Sequence, residues 1–192
     1  MWISSHRKAI MAKKTLLDEK EMYIILHRLA CQLIENHQDF KETILIGIQP
    51  RGVFFADRLV KILREDYKIE NIKLGKLDIT FYRDDFRRRE DPIAASSTDI
   101  NFVVDNKNVV FIDDVLYSGR SVRSALTAIQ AFGRPKNIEL LVLIDRRFSR
   151  HLPIQPDYKG RQVDVIKDER VLVEWSENMK KDKVCIVSSE SP

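Results

Sequence analysis

Two apolar runs, Val109–Ile112 and Ile138–Ile144, enclose a segment in which Val122, Ala125, Leu126 and Ile129 recur at helical spacing until Gly133 and Pro135 stop it. Runs without polar alternation suit strands buried on both faces. Strand, helix and strand in that order predict a βαβ unit with parallel strands. The connecting loop, Asp113–Gly119, then lies at the carboxyl edge of the sheet, where open α/β sheets bind their ligands. The chain has 192 residues, which is room for a single domain over 1–192 with a substantial core.

Elsewhere the periodicities agree with an α/β chain. Asp18 with Glu21 three residues on marks a helix start, and Met22, Leu26, Leu29, Ala30 and Leu33 carry a helix over about 18–37. Thr43–Ile48 suits a buried strand, followed by the loop Gln49-Pro50-Arg51-Gly52 and a second helical pattern through Leu63. Asn71–Tyr82 reads as a strand in which Leu77, Ile79 and Phe81 alternate with polar neighbours. Residues 83–101 mix charge, Pro92 and a Ser-Ser-Thr-Asp cluster without any period, which predicts a mobile loop. Three short strand-like pieces, Val163–Ile166, Val171–Glu174 and Lys183–Val187, predict a small C-terminal β-rich flap beside the parallel sheet and its helices. Residues 1–17 read as an N-terminal tail.

Composition narrows the class of function. No apolar run approaches the ~20 residues of a membrane span, and residues 1–14 lack the apolar stretch of a secretory signal, so a cytoplasmic protein without membrane contact is expected. Met11 is an alternative start to Met1. Cys31 and Cys185 have no Cys or His nearby at metal-ligand spacing and are expected to be buried thiols. The net charge of +4 comes from Arg7, Lys8, Lys13 and Lys14, and the rest of the chain is formally neutral. Nucleic acid would therefore need a clustered basic face.

The chemistry concentrates in Asp113-Asp114-Val115-Leu116-Tyr117-Ser118-Gly119-Arg120-Ser121. A helix N-terminus offers free backbone N–H groups, Gly119 lets the chain turn around a phosphate, and Ser118 and Ser121 add hydroxyls. Two carboxylates cannot bind that phosphate, but they can accept hydrogen bonds from vicinal sugar hydroxyls and favour positive charge developing on the sugar. Phosphate on one side and diol on the other describe a ribose 5-phosphate. The bland alternative is that the acids end a strand and Ser118 caps a helix. Competing phosphate motifs fit worse, since no Lys follows Gly119 as in a Walker loop and no G-x-G-x-x-G follows a strand.

The stretch Val109–Ser121 resembles the phosphoribosyl pyrophosphate (PRPP) motif of type I phosphoribosyltransferases. Its Asp-Asp-Val-Leu-Tyr-Ser-Gly-Arg form is most similar to the bifunctional pyrimidine operon attenuation regulators with uracil phosphoribosyltransferase activity. Ile46–Gly52, Leu77–Asp85, Leu152-Pro-Ile154 and Asp157–Gly160 agree in order and spacing, so the likeness covers about residues 15–188.

The resemblance implies the type I phosphoribosyltransferase fold, Mg²⁺ as cofactor, and transfer of phosphoribose from PRPP to uracil, giving UMP and pyrophosphate in pyrimidine salvage. It implies catalytic roles for Asp113, Asp114, Arg51 and Arg83. Substrate would be bound by Pro50, Arg51 and Gly52, by Val115, Leu116, Tyr117, Ser118, Gly119, Arg120 and Ser121 with the acid pair, by Arg146, and by the main chain of Val171. It implies leader mRNA as a partner through Arg28, Arg150 and Arg161, a homodimer or higher homo-oligomer, and no dedicated protein ligands for the metal. Two departures stand out: Asp145-Arg-Arg-Phe-Ser-Arg150 carries one residue more than the usual Asp-Arg-Gly-His-Arg, and Val163–Asp168 differs from the usual Pro-Thr-Ser. Two other readings stay open, an RNA-binding regulator with little turnover and a purine phosphoribosyltransferase. The second is disfavoured because Val115, Leu116 and Tyr117 offer no acid to the base.

Overall fold

The computed structural model describes residues 11–83, 97–164, 169–177 and 181–189. They form two compact units, one built from residues 23–164 and the other from residues 11–22, 169–177 and 181–189.

The larger unit is a parallel sheet of five strands in the order β3-β2-β4-β5-β6. These are β2 (Thr43–Ile48), β3 (Lys73–Leu77), β4 (Asn108–Leu116), β5 (Asn137–Arg147) and β6 (Tyr158–Asp164). Ile44, Ile46, Ile48, Val109, Phe111, Leu140 and Val142 join one buried cluster with Val122, Ala125, Ala128 and Ile129 of α3 (Arg120–Ile129). Val110, Ile112, Leu141 and Leu143 are buried as well, so both faces of the central strands are covered, which explains their unbroken apolar runs. At ~1.5–3 kcal/mol per buried aliphatic side chain, the central strands are the firmest platform in this unit.

The register sets up the site. β2 pairs with β4 only as far as Gly47 opposite Ile112, whereas β4 continues beside β5 to Leu116 opposite Asp145. The last residues of β4 therefore outrun β2 and lie beside the loop that leads from β2 into α2 (Gly52–Glu65).

α1 (Glu19–His37) starts with the expected reciprocal cap. Glu21 N–H donates to Asp18 Oδ1 at 2.8 Å and Asp18 N–H donates to Glu21 Oε2 at 3.0 Å. In the smaller unit β1 (Met11–Leu17), β8 (Lys183–Ser189) and β7 (Glu169–Glu174) form an antiparallel sheet in the order β1-β8-β7. Buried Glu174 there accepts hydrogen bonds from Lys13 and is 3.1 Å from Lys183 Nζ; the hydrogen bond from Lys13 is the main force holding its carboxyl below the usual range.

Several boundaries differ from the sequence reading. Met11–Leu17 is a strand and not a tail, because it finds an edge to pair with in β8. The strand expected over 71–82 is confined to Lys73–Leu77. Asp78 ends it by accepting from the Thr80 N–H at 2.9 Å and the Thr80 hydroxyl at 2.6 Å, which turns Thr80–Tyr82 into a short 3-10 helix. The piece expected over 163–166 in the flap begins at Tyr158 and pairs in parallel with β5, so its chain belongs to the main sheet. Most of the loop expected over 83–101 lies outside the described residues; within it, Asp99 pairs with Lys76 at the sheet edge. Cys185 is buried, but Cys31 is only half-buried, with its Sγ 3.0 Å from the Tyr67 hydroxyl.

Candidate active site

β4 delivers Asp113 and Asp114 to the carboxyl edge, and α3 begins only four residues after it ends. Gly119 makes that turn with φ +87°, a conformation in which a side chain is strained, and a Cβ on it would lie 3.2 Å from Ile154 Cδ1. No side chain caps the start of α3, and the Ser118 hydroxyl is a loose 3.5 Å from the Arg120 N–H. A helix start without a side-chain cap is suited to receive an anion. Val115 to Ser121 line a cavity of about 260 Å³, together with Arg83, Asp113 and Ser124.

Arg51 precedes α2, whose first residue, Gly52, packs against β4 so closely that a Cβ there would lie 2.2 Å from Ile112 O. That approach carries Arg51 to Asp114: Arg51 Nε donates to Asp114 Oδ2 at 2.6 Å. The preceding Gln49–Pro50 peptide is cis. Arg83 is held from the other side, because the Ser124 hydroxyl of α3 donates to Tyr82 O at 3.0 Å. Residues as far apart in the chain as Arg51 and Arg83 thereby act on the same acid pair.

The electrostatics of the pair are governed by burial. Asp113 is pushed well above the ordinary carboxylate range first by desolvation and then by the charge of Asp114, and the charges of Arg51 and Arg83 only partly offset this. Asp114 is raised as well, again chiefly by burial, despite the opposing pull of Arg51. The unliganded site therefore holds negative charge reluctantly and is suited to take up partners that donate hydrogen bonds or carry positive charge.

Among the described residues no group of three His, Cys, Asp or Glu side chains is placed to hold a metal ion. The two carboxylates beside a phosphate-sized cavity suit an ion whose remaining oxygens come from ligand and water, the habit of Mg²⁺.

The other expected residues fall as follows. Arg146, near the end of β5, is buried with its guanidinium 4.2 Å from the ring centre of Tyr117, which joins it to the phosphate loop. Val171 lies in β7 of the smaller unit. Arg28 donates to Lys159 O at 3.1 Å and Gly160 O at 2.6 Å, which brings α1 beside Arg161 on the exposed edge of β6. Arg150 does not join that exposed face: its guanidinium turns inward onto main-chain carbonyls and the Asp145 carboxylate. Within the departing stretch Asp145–Arg150, Phe148 has φ +60° and is 84% exposed. Sequence reading missed Ser124 as the group that anchors Arg83 and Gly52 as the contact that sets the approach of Arg51. Neither had a local signal, since both act on strands and loops far away in the chain.

Comparison with known proteins agrees with this geometry. The phosphoribosyl transferase domain family matches residues 12–177. The bifunctional protein PyrR of Enterococcus faecalis is 39% identical over 176 residues, covering 92% of this chain and 97% of that protein. The pyrimidine operon regulatory protein of Lactococcus lactis is 37% identical, covering 92% and 98%. A hypoxanthine phosphoribosyltransferase structure from Staphylococcus aureus superposes with a TM-score of 0.66 over 93% of both chains; at 21% identity it speaks for the type I phosphoribosyltransferase fold alone. With the acid pair, the uncapped helix start and the paired arginine in place, and with these matches spanning nearly the whole chain, the protein belongs to the phosphoribosyl transferase domain family and, within it, to the bifunctional PyrR proteins.

Proposed function

We propose that this protein transfers phosphoribose from PRPP to uracil, giving UMP and pyrophosphate, and that it also binds leader RNA of pyrimidine genes. The observation that carries the enzymatic half is the cavity that Arg83 and Asp113 line together with the loop through Gly119, next to the pairing of Arg51 with Asp114. The loop from Val115 to Ser121 would hold the 5-phosphate, and the acid pair the ribose hydroxyls. Departure of pyrophosphate leaves positive charge on the ribose ring. Carboxylates beside the ring favour that charge, and Arg51 with Pro50 and Gly52 faces the leaving group. Mg²⁺ would lower the charge cost of the pyrophosphate when bound. Arg146 would contact the base side, as the resemblance implies. The family match runs through both units, which supports one functional domain over 1–192.

Incubation with PRPP, Mg²⁺ and, separately, uracil, hypoxanthine, guanine and orotate is the direct test. Turnover with uracil alone is expected, and turnover confined to a purine would replace this reading. Arg51→Ala is expected to weaken PRPP far more than UMP, which has no pyrophosphate; equal losses, read by calorimetry, would remove Arg51 from the pyrophosphate site.

The regulatory half is supported by the likeness to the Lactococcus lactis pyrimidine operon regulatory protein and by the cations that gather where Arg28 meets β6. That face consists of Arg28, Lys159 and Arg161, whereas Arg150 contributes its hydrogen bonds inward. Arg28→Glu with Arg161→Glu is expected to lower leader RNA affinity and reduce its salt slope by ~0.9 per lost phosphate contact, with uracil transfer retained. Filter binding across salt, with and without UMP, measures this. Binding of wild type no tighter than to unrelated RNA leaves a salvage enzyme only.

A further inference from the structure

A loop that cradles phosphate has to present N–H groups and turn its carbonyl oxygens away, because an inward carbonyl repels the anion. In a trans peptide the carbonyl and the following N–H point in opposite directions, so fixing one fixes the other. The peptides from Leu116 to Gly119 are trans. Their three successive carbonyls are all taken by one neighbouring segment. Arg150 Nη1 donates to Leu116 O at 3.1 Å and to Tyr117 O, and the His151 N–H donates to Ser118 O at 3.0 Å. The N–H groups of Tyr117, Ser118 and Gly119 consequently point away from Arg150 and His151. The cavity of about 260 Å³ is lined by the loop and not by either of these residues.

Arg150 is anchored well enough to act as a brace. Its Nη2 donates to the Asp145 carboxylate at the end of β5, its Nε to Ile154 O at 3.1 Å, and its Nη1 also to Arg146 O at 3.1 Å. One planar guanidinium thus ties together the end of β5, the turn that follows it and the phosphate loop. Hydrogen bonds from a cation to carbonyls are stronger than neutral ones, and the fork fixes direction as well as distance. Asp145 is buried and Arg150 is paired with it.

We propose that Arg150 is a positioning residue for phosphoribosyl binding, holding the carbonyls of Leu116 and Tyr117 outward so that the loop's N–H groups face the 5-phosphate. This deepens the proposed function and rests on it. It also gives Arg150 a task inside the enzyme in place of one on the RNA face.

The test compares wild type, Arg150→Ala and Arg150→Lys. Ribose 5-phosphate binding is read by calorimetry, KM for PRPP and for uracil by steady-state kinetics, and folding by Tm. Arg150→Ala is expected to bind ribose 5-phosphate roughly 10–100-fold more weakly, since misplacement of about 1 Å costs that order, and the KM for PRPP rises with it while the KM for uracil changes much less. Arg150→Lys recovers only part, because a point ammonium cannot reproduce the fork, and added guanidinium ion partly restores binding to Arg150→Ala. A lower Tm with unchanged ribose 5-phosphate affinity would reduce Arg150 to a structural residue and overturn the proposal. If the alanine variant does not fold, Arg150→Lys decides by the same comparison. Wild type that binds ribose 5-phosphate but does not transfer to uracil would defeat the proposed substrate and leave the outcome for Arg150 readable.

Discussion

Asp113→Asn combined with Asp114→Asn is expected to lower kcat/KM for uracil transfer by at least ~10³-fold while leaving the fold intact or firmer. The catalytic loss follows from removing both charges that favour the developing positive ribose, since a single well-aimed electrostatic group is commonly worth ~10²–10³. The stability half follows from the raised values of the pair, whose first cause is burial. Both carboxyls bind their protons more tightly in the folded chain than in the unfolded one. The stability this confers is present below the unfolded carboxylate value of ~4 and is lost as pH rises through the raised folded values. Asparagine does not ionise, so the variant keeps what the wild type loses, and its Tm relative to wild type rises with pH. Arg51 loses the charge of Asp114 but is partly exposed, so water can take over that contact. Thermal melts across pH beside the uracil assay measure both. An inactive variant that also melts much lower at pH 8 would mean that the acid pair and Arg51 serve the fold, and near-wild-type kcat/KM would remove the pair from the site.

Gly52→Ala carries the second large effect. Its Cβ would lie 2.2 Å from Ile112 O and 3.1 Å from Asp113 Cα, both backbone atoms that no rotamer change can move. Relief requires α2 to shift away from β4, taking Arg51 with it. Overpacking of this kind costs about 1–3 kcal/mol. For a chain of this size that is roughly 2–12 °C in Tm, at ~2–4 °C per kcal/mol. Displacement of Arg51 by about 1 Å is expected to lower transfer by the order of 10²-fold beyond the stability loss, since the Arg51 Nε contact with Asp114 spans only 2.6 Å. Kinetics well below the Tm of the variant separate the two effects. Wild-type activity and Tm together would show that the β2–α2 loop absorbs the methyl group without moving Arg51.

The same two positions mark how far reading the chain can go. Asp113, Asp114 and Gly119 were legible because strand, acids, small-residue turn and helix follow one another within thirteen residues, so local periodicity and turn chemistry suffice. The helix start at Asp18 was legible for the same reason. Gly52 was named beside Arg51 through the resemblance, but its packing on β4 was not legible, since its close partner, Ile112, stands sixty positions away.

By itself, then, the order of apolar runs determined a parallel α/β sheet and put the Asp113–Gly119 loop at its carboxyl edge, because these depend on neighbours in the chain. Only the tertiary structure decided that Met11–Leu17 is a strand, that Tyr158–Asp164 joins the main sheet, and that β4 outruns β2 to meet Arg51. It alone showed that the Arg150 guanidinium turns inward, onto Leu116 O and the Asp145 carboxylate. Each of these outcomes is a hydrogen-bond partnership between distant segments, and a donor or an unpaired strand edge carries no mark in the sequence of which partner it will find.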